Sequence, residues 1–240
     1  MKKVLWFGLI GGFLLILGMY GYNRIFASSL SKEQTIEKDN VSALNVDINF
    51  GVGDLYVSGG ADDWMEGTFD YTEKRYAPDI SYKKKNNTGI LKIKQQPRMT
   101  IGFFKNKMKS DWDIQLSDDV PIDLNVDMGV SSTSLDLKGL QLNNLKIDSG
   151  VSDSTIDLSG DWSKSFQTRI AMGVGDVTLL LPKQTGVKLS VSKGIGTVSM
   201  DGFISQGNRI YVNEAYDQSD VFLDISLDIG VGDVKIKLID

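Results

Sequence analysis

Apolar and polar residues alternate along most of the chain after residue 40, a pattern typical of β-strands with one buried face. Ile48, Phe50 and Val52 fall on one face at a period of two. The apolar residues resume at Leu55 after a step of three, which indicates a corner or bulge that keeps the same face buried. No segment after Tyr22 has the period of an amphipathic helix. The pattern therefore predicts a nearly all-β domain.

One short unit recurs six times within this pattern: an alternating run, then Gly-Val-Gly or a close variant, then a second alternating run. Three consecutive spacings between the leading glycines are 21, 23 and 21 residues, which is the range of one coil in a stacked repeat. Glycine suits such corners because it accepts positive φ and lets neighbouring coils approach closely. The sequence predicts a single-stacked, β-solenoid-like repeat domain. The predicted structural turns are at Gly51, Gly53, Gly129, Gly150, Gly173, Gly175, Gly194, Gly196, Gly230 and Gly232.

Two of the six units differ from the others at the corner. From Val130 to Leu135 and from Val151 to Ile156, the apolar residues resume only after a step of five. The longer step predicts a longer corner in these two adjacent coils.

The region between the first and second units predicts an N-terminal antiparallel meander. A strand is expected over Thr68–Glu73. A hairpin is expected from Ile80–Lys84 to Ile90–Lys94, because the Asn-rich connection between them ends in glycine. A further strand begins at Trp112, where alternation resumes.

The first part of the chain predicts a membrane anchor. Val4 to Tyr22 is an apolar run without a charged residue, long enough to cross the hydrocarbon core as a helix. Lys2 and Lys3 precede it and only Arg24 follows closely, which favours a cytoplasmic N-terminus. The predicted organisation is anchor over 1–27, polar tether over 28–40 and exported β-repeat domain over 41–240, at the plasma membrane in a single pass.

A cleaved signal peptide is the alternative interpretation of this segment. The apolar run is longer than the usual core of a signal peptide, and Ile25 occupies a position where cleavage near Ala27 requires a small residue. Retention as an anchor is therefore the favoured prediction.

Composition disfavours several classes of function. The chain has neither Cys nor His, so it lacks thiolate chemistry, the commonest metal ligand and the usual acid-base side chain at neutral pH. Its formal net charge of -5 disfavours nucleic acid as the main partner. We therefore predict a protein that is not an enzyme and has no cofactor.

Four acidic residues at similar corner positions raise the question of a metal site. Carboxylates stacked from coil to coil could hold a hard cation such as Ca²⁺. Aspartate at a turn more often accepts backbone N–H groups, and the dense acidic repeat of calcium-binding β-rolls is absent from the sequence. A structural role is therefore predicted, with no metal, for Asp54, Asp153, Asp176 and Asp233.

A basic segment stands out against this acidic background. Nine positive charges lie between positions 83 and 109, where no acidic residue occurs. Such a segment, interleaved with apolar residues, can contact anionic lipid headgroups or an acidic wall polymer. The alternative is an edge hairpin that its lysines protect against aggregation, with the apolar residues in the core. The predicted surface-binding residues are Lys83, Lys84, Lys85, Lys92, Lys94, Arg98, Lys105, Lys107 and Lys109, with Phe103 and Phe104.

Several short strings occur in a fixed order over residues 41–240. They are Gly53-Asp54-Leu55-Tyr56-Val57, Gly59-Gly60-Ala61, Phe69 with Tyr71, Trp112-Asp113-Ile114-Gln115-Leu116, Leu135-Asp136-Leu137 and Gly230-Val231-Gly232-Asp233. In this order they resemble the toast-rack family of bacterial envelope proteins and the exported β domains of LiaF and LiaG type. The resemblance implies a ladder of β coils and brings no catalytic residues. LiaF-like proteins also carry several membrane helices, whereas one is predicted here.

Two functional hypotheses remain. The chain is either a membrane-anchored module that binds or senses at the cell envelope, linked to an envelope stress response, or a structural scaffold that docks another envelope protein. The predicted partners are the membrane, anionic headgroups or acidic wall polymer, and another envelope protein.

Overall fold

A computed structural model describes residues 30–72, 76–95 and 110–240, and all structural statements concern these residues. They form sixteen connected strands, so the all-β prediction is confirmed. Tyr216–Gln218 forms a single turn of 3₁₀ helix. The strands are β1 (Leu30–Ile36), β2 (Ala43–Gly59), β3 (Met65–Tyr71), β4 (Pro78–Lys85), β5 (Thr88–Gln95), β6 (Ser110–Leu116), β7 (Ile122–Asp136), β8 (Leu142–Asp157), β9 (Phe166–Val174), β10 (Val177–Pro182), β11 (Gly186–Ile195), β12 (Val198–Met200), β13 (Phe203–Gly207), β14 (Ile210–Asn213), β15 (Phe222–Val231) and β16 (Val234–Ile239).

The predicted membrane segment, Val4 to Tyr22, lies outside the described residues. Among residues 30–72, 76–95 and 110–240, no helix has the length and apolar character needed to cross a bilayer.

Each coil of the repeat has two arms that meet at the glycine corner. In β2, the first arm pairs in parallel with β5 and with the first half of β7, and the second arm pairs with β6 and the second half of β7. Ile48 on the first arm and Leu55 on the second are both fully buried in one core. The arms therefore form two layers around a shared apolar interior.

The stacking order of the coils differs from their order in the chain. The six coils follow one another in space as β2, β7, β8, β9 with β10, β15 with β16, and β11 with β12. In space, the last coil of the sequence, β15 with β16, therefore lies between the coil of β9 with β10 and the coil of β11 with β12. Coils of one pattern can pair in any order, so their 21 to 23-residue spacing could not reveal this insertion.

The predicted N-terminal meander is wrong as a unit. The β4–β5 hairpin is confirmed, with a two-residue turn at Asn86 and Asn87. However, β3 pairs with β1 and β6 in the second layer, whereas β5 pairs with β2 in the first. The chain changes layer between Tyr71 and Pro78, so β3 and β4 are not neighbours. The strand expected at Trp112 is confirmed as β6.

The predicted tether over 28–40 contains a strand. Leu30–Ile36 forms β1, which pairs antiparallel with β3 over seven residues at the edge of the second layer. Its exposed face is polar and its other face is only half-buried. Backbone hydrogen bonds to β3 hold this strand in place. Because its residues are mostly polar, the sequence shows no apolar alternation from which the strand could be predicted.

Candidate binding surfaces

The leading glycines form a continuous column across the stack. The column runs through Gly51, Gly129, Gly150, Gly173, Gly230 and Gly194, in spatial order. A Cβ added at Gly173 would lie 2.5 Å from the carbonyl oxygen of Gly150. Close approach of neighbouring backbones therefore requires glycine here. None of the six glycines has positive φ. Close approach of neighbouring coils therefore explains glycine in this column, whereas the expected positive φ does not.

The position two residues later forms a second corner column, in which positive φ does matter. Gly53, Gly175, Gly232 and Gly196 have φ values of 140°, 132°, 151° and 137°. An added Cβ at Gly232 would also overlap the carbonyl oxygen of Gly175. In β7 and β8 this column contains serine instead.

A buried hydroxyl cluster occupies the two serine corners. Ser131 Oγ lies 3.0 Å from Ser152 Oγ, and Thr133 Oγ1 lies 3.0 Å from Ser131 Oγ. Ser152 and Ser154 hydroxyls are 2.8 Å apart. The expectation of longer corners is therefore wrong, because the inward period continues. Ser131 and Ser152 occupy positions that are glycine in other coils, and Thr133 and Ser154 occupy positions that are apolar there. All four hydroxyl residues are buried.

The corner aspartates form a ladder of hydrogen bonds between coils. Asp153 accepts the backbone N–H of Asp176 at 3.2 Å, and Asp176 accepts that of Asp233 at 2.8 Å. Asp233 accepts both the N–H and the hydroxyl of Thr197, at 2.7 and 2.9 Å. The hydrogen bonds from Thr197 hold the pKa of Asp233 below its ordinary value. These carboxylates stabilise the stacked corners.

Among the described residues, no cluster of His, Cys, Asp or Glu has the arrangement of a metal site. Asp54, the fourth of the predicted corner acids, is buried in the second arm of β2.

The three lysines at the end of β4 do not share one environment. All three are exposed, and Lys83 and Lys85 lie on the outer face. Lys84 lies on the opposite face, where its ammonium donates to the backbone carbonyl of Asn40. β4 is an edge strand whose only partner among the described residues is β5. This arrangement fits both alternatives, a cationic surface and an edge protected by lysine.

The two lysines on β5 face nearby acids. Lys92 Nζ lies 3.4 Å from Asp47 Oδ2, and Lys94 is directly opposite Asp79 in the hairpin register. The carboxylates of Asp47 and Asp79 therefore partly balance the positive charge of these two lysines. The other predicted contact residues, Arg98, Phe103, Phe104, Lys105, Lys107 and Lys109, lie outside the described residues.

A hydrogen-bonded junction at Asp39 joins the hairpin to the segment that follows β1. Asp39 Oδ1 accepts from Tyr82 Oη at 2.7 Å and from Trp64 Nε1 at 2.9 Å. These bonds lower the pKa of Asp39, the bond from Tyr82 most. Burial, together with the bond to Asp39, raises the pKa of Tyr82 to about 12. The lysine hairpin and the chain leading from residues 1–29 are therefore held at the same end of the stack.

An open groove of about 1100 Å³ runs along the outer face of the first layer beside the corners. The first glycine column forms its floor. Outward side chains two residues before the column glycine in each coil form one wall: Asn49, Asp127, Asp148, Ala171, Asp228 and Ser192. Gln95 closes one end, because its amide side chain bonds the backbone N–H and carbonyl of Val52.

The sequence identified the glycines that form the floor of this groove, but it did not show that a groove is present. The glycines could be found by their recurrence, and the wall residues could be aligned through them. The concave shape depends on neighbouring coils being in register, which a single sequence does not show. The Asp39 junction joins Asp39 to Tyr82, which are 43 positions apart, so no local sequence pattern could predict it.

Comparison with solved structures finds a chain of similar fold. A crystal structure of a candidate cell adhesion protein from Clostridium sporogenes is 31% identical, with a TM-score of 0.85, and the match covers 88% of this chain and 100% of that one. A candidate adhesin from Bacteroides fragilis is 14% identical, with a TM-score of 0.31, over 88% of this chain and 97% of that one. The second likeness is too weak to support any inference. Among curated proteins no match was found.

Comparison with protein families identifies two matching regions. Residues 130–236 match the C-terminal region described as "Cell wall-active antibiotics response LiaF". Residues 26–180 match the N-terminal domain of toast_rack, and this match covers more than half of the chain. Neither description names a catalytic activity. The resemblance seen in the sequence is therefore confirmed, and the chain belongs to the toast-rack family.

Proposed function

We propose that the chain is a binding or sensing module of the bacterial cell envelope, linked to the response to envelope stress. In this proposal, residues 4–22 cross the plasma membrane once with the N-terminus in the cytoplasm, and the β coils lie outside. The exposed lysines of the β4–β5 hairpin then face an anionic membrane surface or an acidic wall polymer.

Family membership supports the envelope setting. The matched LiaF region is described by its response to cell wall-active antibiotics, and it covers five of the six coils in whole or in part. LiaF-like proteins therefore suggest the same setting for this chain.

The position of the hairpin is the observation that carries the proposed surface contact. Lys83 and Lys85 are exposed at the end of the stack where β1 begins, and the Asp39 junction fixes the hairpin against the segment after β1. A chain anchored through residues 4–22 would hold this end nearest the bilayer. Each lysine close to an anionic surface contributes about 1 kcal/mol of binding free energy, and the contribution falls off within a Debye length.

Sedimentation with lipid vesicles tests this contact. The soluble fragment 28–240 is suitable, because the similar Clostridium chain was crystallised and aligns over its full length with 88% of this chain. We expect the fragment to sediment with vesicles containing phosphatidylglycerol at low salt and to be released at high salt. Replacing Lys83 and Lys85 by Gln should cost about 2 kcal/mol, or roughly 30-fold in affinity.

A matched control is available on the second layer. Lys235 and Lys237 are exposed, have the same spacing, and lie on β16 near the opposite end of the stack. Replacing both by Gln changes the net charge equally and should leave binding nearly intact. Equal losses in the two double variants would contradict an oriented contact, and absence of sedimentation would contradict the contact itself.

A scaffold role is the second candidate, and the opposite end of the stack favours it. There, β13 and β14 extend the first layer by two strands, whereas the second layer ends at β12 among the described residues. Ile195 and Ile204 are each 54% exposed at this end. An envelope protein retained by the fragment after Lys83 and Lys85 are replaced, and lost when Ile204 is replaced by Asp, would favour the scaffold role.

A further inference from the structure

We propose that the corner groove binds one strand of a linear, uncharged glycan. This inference concerns a surface separate from the lysine hairpin and does not depend on contact with a membrane.

The dimensions of the groove suit a linear polymer. It extends across all six coils, from Gly51 at one end to Gly194 at the other. Five steps between parallel strands of about 4.8 Å each give a length of about 24 Å. Its volume is about 1100 Å³, and it is open along its side. A compact ligand would leave much of this length empty, whereas an extended chain of several sugar units would fill it.

The floor presents backbone without side chains. Glycine at this position in every coil leaves a flat surface of Cα hydrogens, and the edges of Met128, Met172 and Ile229 line it as well. A pyranose ring has C–H groups on its faces and hydroxyl groups at its rim. The flat, weakly polar floor can therefore pack against the faces of successive rings.

The wall presents short polar side chains at the spacing of the coils. Asn49, Asp127 and Ser192 project from the outer face beside the floor. Asp127 is exposed on β7, and carboxylates and amides are good partners for the hydroxyl groups at a sugar rim.

The charge of the groove disfavours an anionic polymer. Asp148 and Asp228 in the wall form ion pairs with Lys146 and Arg169 on the same face, and Asp127 adds a negative charge with no ion-pair partner among the described residues. Two lysines also line the groove. Lys193 at one end donates to the carbonyl of Gly196, and Lys94 at the other end lies opposite Asp79 in the hairpin register. A polymer of phosphate groups would meet Asp127 unfavourably, whereas an uncharged glycan would not.

The pairing of the floor strands disfavours an extended peptide. Each of β7, β8, β9 and β15 is already paired on both sides, so a peptide in the groove finds no strand edge with which to pair. Its backbone N–H and C=O groups would be left over the apolar floor without partners. The hydroxyls of a glycan can instead point outward, to the wall and to water.

Calorimetric titration of the full chain in detergent with a β-1,4-linked hexamer of N-acetylglucosamine tests the proposal. Ala171 is the small residue in the middle of the wall, and Ala171→Trp would fill the groove from an outward position that leaves the core intact. Gln167→Trp is the matched control, because Gln167 lies on the same face of β9 outside the groove. We expect binding that falls by about tenfold or more in Ala171→Trp and is unchanged in Gln167→Trp.

Three results would overturn the proposal. The first is no heat of binding with the hexamer or with a β-1,4-linked glucose hexamer at millimolar concentration. The second is equal affinity of the two tryptophan variants. The third is tighter binding of polyglycerol phosphate or of a lysine-rich peptide that Ala171→Trp abolishes, since either would assign the groove to another class of polymer. Replacing Lys83 and Lys85 should not alter glycan binding, which separates this test from that of the membrane contact.

Discussion

The glycine corners and the serine corners form the same bend in different ways. At Gly175 and Gly232 the backbone has positive φ, and the strand is interrupted before the second arm begins. At Ser131 and Ser152 the backbone has no positive φ, and β7 and β8 continue without interruption. The bend itself therefore does not require a glycine with positive φ, although Gly129 and Gly150 of the first column remain in both serine corners.

The two kinds of corner also bury different groups. Beyond Gly175, the inward positions of β10 are apolar, beginning with Val177. Beyond Ser131, the inward position is occupied by Thr133, whose hydroxyl is within hydrogen-bond distance of its neighbour. The glycine corners thus have a strained backbone, whereas the serine corners have an unstrained backbone and a buried hydroxyl cluster. The two serine corners lie in adjacent coils, where Ser131 and Ser152 hydrogen-bond to each other across the coils.

Placing serine in a glycine corner, and glycine in a serine corner, should give the largest difference in the free energy of unfolding. Gly232→Ser places a side chain at a φ of 151° and against the carbonyl of Gly175, so we expect a loss of about 3 kcal/mol or more in the free energy of unfolding. Ser152→Gly should cost only about 1–2 kcal/mol, from one hydroxyl and from backbone entropy. Urea unfolding of fragment 28–240 measures both. Equal losses would remove the distinction between the corners.

A substitution in the first glycine column should have the next largest effect. Gly173→Val would push a branched side chain against the Gly150 carbonyl, 2.5 Å from an added Cβ, and should cost about 1–3 kcal/mol. Lys183→Ala, which removes an exposed ion pair with Asp240, should cost less than about 0.5 kcal/mol. Similar melting temperatures for these two variants would show that the coils can separate enough to admit a side chain.

Removing one hydroxyl group tests whether the cluster at the serine corners contributes to stability. Thr133→Val keeps the shape of the side chain but removes a group 3.0 Å from Ser131 Oγ, so we expect a loss of about 1 kcal/mol. Thr155→Val makes the same change at an exposed position on β8 and should be nearly neutral. If thermal unfolding does not distinguish the two, the cluster contributes nothing to stability.

The aspartate ladder predicts a small dependence of stability on pH. The pKa of Asp233 is lowered in the folded protein, so its contribution is complete above its ordinary pKa of 3.8 and is lost as pH falls through the lower, folded value. Asp233→Asn should therefore narrow the difference in melting temperature between about pH 6 and about pH 3. Asp201→Asn, on an exposed turn, is the control. An unchanged difference for Asp233→Asn would contradict the role of the Thr197 bonds.

The sequence was sufficient to predict the strands of the repeat and the resemblance to a family. Alternation at period two is a local property, so it located β2, β7 and the hairpin. The Gly-Val-Gly motif and its close variants located the six corners. At Ser131 and Thr133 the same reasoning failed, because a rule based on apolar residues does not recognise buried hydroxyls.

The arrangement of the coils and their surfaces could not be predicted from the sequence. The insertion of β15 between β9 and β11 depends on pairing between strands of equivalent pattern, and nothing in the chain marks the choice. The polar strand β1 carries no apolar period. Of the predicted contact residues on β4, Lys84 bonds the Asn40 carbonyl on one face, whereas Lys83 and Lys85 lie on the other face. Such differences arise from tertiary contacts.

Controlled release of the β domain in intact bacteria tests the proposed envelope function most directly. A specific protease site inserted between Ser28 and Ser29 would separate the domain from residues 1–28, and the protease would be added outside the cells. We expect cleavage, followed by retention of the domain on the envelope at low salt and its release into the medium at high salt. Resistance to the external protease, or immediate release at low salt, would contradict a module that lies outside the membrane and binds the envelope.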